Sequence, residues 1–171
     1  MYRFIWLIGF CWLIQLPLVA QSGFLAEAAE KWENAMAYTL ELAESVPDSL
    51  YTYRPTPEQM SFQEQLLHMA GNVAWLSSDY LYGDSIAVDR RMEGAQRSEV
   101  LAVLRSAMQS AHRALQNFPA DKLTEEVSFF AGPKTRRQMI LLLHDHLTHH
   151  RGQLIVYARL QGISPPRYRG W

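Results

Sequence analysis

Apolar residues recur at three- and four-residue spacing over four long stretches, the pattern of amphipathic helices. The first predicted helix runs from about Phe24 to Ser45. Leu25, Ala29, Trp32, Met36, Thr39 and Leu42 form its apolar stripe, and Pro47 stops it. The second opens on Ser61-Phe62-Gln63-Glu64, a capping box in which Ser and Glu satisfy each other's free backbone donors. It continues through Leu66, Leu67, His68, Met69, Val73, Trp75, Leu76 and Tyr80, and Gly83 is its expected end. The third spans roughly Glu99 to Phe118, with Ser98 as its expected cap and Pro119 beyond it. A second capping box, Thr135-Arg136-Arg137-Gln138, starts the fourth helix. It runs to Gln161, where Gly162 and then Pro165-Pro166 prevent continuation.

The only strand-like run is Val127-Ser128-Phe129-Phe130, and no second run offers it a partner. The predicted fold class is therefore all-α: a four-helix bundle over residues 21–171 with long interhelical connections. Each connection is about 15 residues, long for a simple up-down bundle, so the spatial order of the helices stays open. The aromatic tail, Arg167-Tyr168-Arg169-Gly170-Trp171, is expected to pack over one end of the bundle.

The N-terminal residues have a different pattern. Arg3 precedes an unbroken apolar run from Phe4 to Ile14, and the segment closes on the small residue Ala20. A basic start, an apolar middle and a small-residue exit describe a secretory signal peptide over residues 1–20. The run is shorter than the ~18–20 residues that span a bilayer. The expectation is an exported protein, periplasmic or secreted, with no stable membrane span after processing. An uncleaved anchor is the alternative.

Composition narrows the chemistry. Among 171 residues there is a single cysteine, Cys11, and it lies in the leader. The processed chain would have no thiol, which removes disulfides, cysteine zinc sites, iron–sulfur clusters and thiol nucleophiles. With 16 Lys+Arg against 17 Asp+Glu, the chain has no basic face suited to nucleic acid. Hydrophobic residues make up 49%, enough for a packed core.

The histidines are concentrated. Of six, four (His144, His146, His149 and His150) fall within seven residues of the fourth helix. His146 and His150 are four apart and lie about 40° from each other on one face, which Gln153 and Tyr157 continue. Two imidazoles at this spacing can chelate one ion. His68, in the apolar part of the second helix, can supply a third nitrogen across the core or serve as a packed core residue. His149 is a competing ligand three residues from His146, but it sits about 100° from His150, toward a flank. His144 projects roughly opposite the pair and reads as a surface or packing residue, and His112 as a surface residue. Asp145 and Asp79 read as solvated acids rather than acceptors for the imidazoles. Three neutral imidazoles with an open position suit a divalent transition metal, zinc or nickel foremost, better than calcium or magnesium.

The stretch His146-Leu147-Thr148-His149-His150-Arg151-Gly152-Gln153, with Tyr157 and Gly162 downstream, resembles the C-terminal signature of the DinB-like proteins. Leu66-Leu67-His68, Trp75 and the lead-in Tyr53-Arg54-Pro55 with Ser61 are similar to that family's second-helix region. The resemblance implies a four-helix bundle holding one divalent metal through His68, His146 and His150. It also implies a homodimer. Some relatives act as thiol-dependent transferases or isomerases, so the implied activity is metal-dependent, a transferase or a hydrolase acting on a small molecule whose identity the motif leaves open. A non-enzymatic metal-binding or stress-related role in the cell envelope is the alternative.

Overall fold

The computed structural model describes the backbone of residues 3–171 and the side chains of residues 23–171. The leader expected over residues 1–20 lies outside the residues described to side-chain level. Four helices carry the fold: α1 (Arg3–Ser45), α2 (Phe62–Tyr80), α3 (Arg97–Gln116) and α4 (Arg136–Leu160). Phe24, the expected start of the first helix, is not a helix terminus; Phe24 and Leu25 are where α1 begins to pack on the core. No helix among the described residues is long and apolar enough to cross a membrane.

Both predicted capping boxes form. Ser61 Oγ accepts from the Glu64 N–H at 3.2 Å while Glu64 accepts from the Ser61 N–H at 2.6 Å. Thr135 and Gln138 repeat the exchange at 3.3 and 2.8 Å. The α3 cap differs from expectation. Glu99 accepts the backbone N–H of Gln96 at 2.7 Å, so the helix starts at Arg97 and Ser98 lies inside its first turn. The carboxylate reaching back, rather than a hydroxyl reaching forward, sets this boundary. The end of α2 is also a correction. Its left-handed residue is Tyr82 (φ 59°), and Gly83 is needed instead for close approach. The Gly83 N–H donates to the Ser77 carbonyl at 2.9 Å, where a Cβ would stand 3.0 Å from that oxygen. At α4, Gly162 (φ 74°) ends the helix as expected, with the Ile163 N–H returning to Ala158.

A strand does form next to the expected run, one residue earlier and only two residues long, and it has a partner. Glu126–Val127 (β1) pairs antiparallel with Lys134–Thr135 (β2), Glu126 opposite Thr135. Two residues of Lys134–Thr135 next to a helix cap carry no alternating pattern, which is why the sequence hides them. The fold remains a helical bundle with one minimal hairpin between α3 and α4.

The helices are not arranged in chain order. α1 packs against α3 and α4, and α2 packs against the same two, so α1 and α2 occupy opposite corners. The long connections 46–61 and 117–135 cross those diagonals, and each carries a short 3₁₀ turn. Trp32 is the central anchor. It is fully buried, donates from Nε1 to the Met108 carbonyl of α3 at 3.0 Å, and meets the His144 ring of α4 edge-on at 5.3 Å. Arg136 closes the other end, paired with Glu125 at 2.8 Å, donating to the Tyr80 carbonyl at the α2 C-terminus and stacked on Tyr82.

Replacing Trp32 with Ala is expected to cost about 3–5 kcal/mol in chemical denaturation, because three helices lose one shared contact. Leu141→Ala, on the exposed side of α4, is expected to change stability by less than about 0.5 kcal/mol.

Candidate metal centre

α2 and α4 lie side by side, and this contact brings the separated histidines together. His68 comes from α2; His146 and His150 come from successive turns of α4. The Nε2 atoms of His68 and His146 face each other at 3.2 Å. Ring centroids are 4.4 Å apart for His146–His150, 4.5 Å for His68–His150 and 5.1 Å for His68–His146. One ring nitrogen from each residue lies within 4.8 Å of the other two. Two nitrogens on one tetrahedral zinc stand about 3.3 Å apart, given bonds near 2.05 Å. The His68–His146 separation therefore has the spacing of two ligands on one ion.

A buried glutamine that the sequence reading did not single out organises this cluster. Gln65 is fully buried on α2, one turn before His68. Its Nε2 donates to Gln153 Oε1 at 2.7 Å and lies 3.5 Å from the Tyr157 hydroxyl, which itself donates to the Met60 carbonyl at 3.1 Å. The amide oxygen is thereby turned to His150 Nδ1, 2.7 Å away. An oxygen there requires the proton on Nδ1, leaving the lone pair of His150 on Nε2. The clue in the sequence was spacing: Gln65 precedes His68 by three and shares its helix face.

The electrostatics favour neutral rings. Burial and the neighbouring imidazoles of His150, His68 and His149 push the His146 pKa down to about 4. Burial, then His68 and His149, pulls His150 down to about 4. His68 is lowered too, by burial and by the Arg90 guanidinium. At neutral pH each ring is uncharged and carries one unprotonated nitrogen, the form that a metal takes.

The other histidines stay outside this group. His149 is exposed, with Nε2 3.2 Å from Gln153 Nε2 and its ring edge-on to His150 at 4.9 Å. His144 packs on Trp32, and burial together with Lys31 lowers it to about 4. His112 is half-buried rather than at the surface. Asp79 and Asp145 are exposed, as expected of solvated acids. A cleft of about 350 Å³ opens beside His68, bordered by Arg54, Glu58, Met60, Glu64 and Arg90.

Known proteins share this framework. Residues 31–154 match the sequence model of the DinB superfamily. The uncharacterized protein YjoA of Bacillus subtilis (strain 168) is 24% identical over 127 residues, 72% of this chain and 82% of that protein. The crystal structure of that DinB-like protein superposes with a TM-score of 0.69 at 20% identity, covering 83% of this chain and 96% of YjoA. A DinB-like protein from Bacillus cereus gives a TM-score of 0.70 at 19% identity, covering 83% and 95% of the respective chains. The helical bundle is thus common to all three, and the chain belongs to the DinB superfamily.

Proposed function

We propose that this protein is a metal-dependent enzyme in which His68, His146 and His150 hold one divalent transition-metal ion, zinc or nickel. The observation that carries the reading is the 3.2 Å approach of two imidazole nitrogens from different helices, with the third ring fixed in its Nε2-binding tautomer by Gln65. Nitrogen-only donors exclude calcium and magnesium, which take oxygen ligands. Three protein ligands leave a position for a small molecule, whereas a closed structural site takes four. The cleft that opens beside His68 brings solvent-accessible space to one of the three ligands. A bound divalent ion supplies Lewis acidity and lowers the pKa of a group coordinated to it.

The residues of the chain set the terms for that chemistry. Gln65 fixes the His150 tautomer, and Gln153 and Tyr157 hold Gln65. Two carboxylates border the cleft beside His68: Glu58, which is exposed, and Glu64, which is engaged by the Ser61 N–H and by Arg54 at 3.1 Å. Glu64 is therefore not free to take a proton from a substrate, and Glu58 is the cleft carboxylate left without a cationic partner among the described residues.

Elemental analysis of protein purified without a histidine tag is expected to give one ion per chain, and none in His146→Ala/His150→Ala. Absence of metal from wild type after incubation with zinc or nickel would overturn the reading. Gln65→Ala is expected to keep the fold and weaken zinc binding about 10- to 100-fold in a competition titration, as loss of an orienting partner does.

The metal-free protein carries a pH signature. His146 and His150 titrate near 4 when folded and near 6.5 otherwise, so between those values the unfolded chain takes up protons that the folded chain refuses. Their contribution is present above about pH 6.5 and lost as pH falls toward 4. Thermal melts in chelator are expected to show Tm dropping across this window, with a shallower drop in His146→Gln/His150→Gln. Parallel curves would count against it.

A further inference from the structure

Arg90 is held by the fold beside the cleft that opens at His68. It borders the same cavity as His68. Its side chain lies across Gly71, one turn beyond His68 on α2: a Cβ at Gly71 would sit 2.5 Å from Arg90 Nε. Glycine is therefore the residue that lets the guanidinium lie down beside the histidines. The segment carrying Arg90 is anchored to α2, since Gln63 Nε2 donates to the Met92 carbonyl at 3.2 Å. Ile86, Val88 and Met92 also pack on the core.

Of the two arginines bordering the cleft, Arg90 is the one without an ion pair. Arg54, the other arginine of the cleft, is held by Glu64. Arg97, Arg105, Arg113, Arg136 and Arg169 each meet a carboxylate. Arg90 is exposed at the cleft and has no carboxylate partner among the described residues, so its guanidinium is open to an incoming anion.

We infer that Arg90, seated on Gly71, is a specificity-determining residue: it binds a carboxylate or similar oxyanion on the small molecule whose other end reaches the histidine centre. The inference rests on the metal-centre reading. Guanidinium takes such groups through two parallel hydrogen bonds, which fixes orientation as well as charge. The substrate class is thus a bifunctional small molecule, with a metal-seeking atom at one end and an acid at the other. Wholly neutral molecules would be poor ligands.

The test uses the full chain loaded with cobalt(II), whose visible absorption reports ligands entering the open position. Two probes are titrated at mildly alkaline pH: 4-methylimidazole and imidazole-4-acetate, alike in their metal-binding ring and different in the carboxylate. Wild type is expected to bind the acid about fivefold to tenfold more tightly, the range for a charge-assisted contact that is partly solvated. Arg90→Gln is expected to reduce the preference to less than about twofold while leaving 4-methylimidazole affinity unchanged. Gly71→Ala is expected to do the same by displacing Arg90, without loss of helix stability, since alanine is the better helix former. Equal binding of both probes by wild type, or a preference that survives in Arg90→Gln, overturns the assignment and leaves the metal centre standing. Failure of wild type to take up stoichiometric cobalt overturns both.

Discussion

The amide of Gln65 is the contact on which the geometry of the histidine cluster depends. It joins α2 to α4 by giving hydrogen to Gln153 and taking it from His150. A buried amide has little tolerance for error, because each unsatisfied polar atom costs free energy of its own. Sliding either helix would break both bonds at once. The same interaction therefore fixes the register of the two helices, the rotamer of His150 and the nitrogen that carries its lone pair.

Around this contact the bundle is organised by diagonal crossings. Helices adjacent in sequence at the start of the fold, α1 and α2, never become principal neighbours. α4 is held against α1 on its far side by Arg151, buried next to His150. Its guanidinium donates to the Ala35 carbonyl and Thr39 Oγ1 and lies over the Tyr38 ring. No carboxylate pairs with it among the described residues, and burial pulls its pKa down. Backbone carbonyl, hydroxyl and aromatic face take the place of a counter-ion. One face of α4 is thus fastened to α1 while the opposite face presents imidazoles to α2, which gives those rings a rigid support.

The cluster makes the metal-free chain sensitive to acid. Three imidazoles share a partly dry space with one another and with a cation, so protonating any of them is disfavoured. Nothing in packing alone calls for such an arrangement, since apolar residues of the same size would fill the space without penalty. Departures of this kind from the best local choice concentrate at functional sites.

Much of this was legible in the residues themselves. Helical periodicity, the Ser61–Glu64 and Thr135–Gln138 caps and the Gly162 stop are local properties, set by interactions within a few residues, and they appear where the sequence places them. The pairing of His146 with His150 is local in the same sense, because helix geometry alone sets two residues four apart on one face. What tertiary structure decided are the relations between distant segments. That Gln65 rather than an aspartate meets His150, that Lys134–Thr135 partners the short strand, that Gln96 rather than Ser98 precedes α3, and that Arg90 lies across Gly71 each depend on which surfaces meet or how a loop closes. Periodicity says which face of a helix turns inward; only packing decides what it faces there.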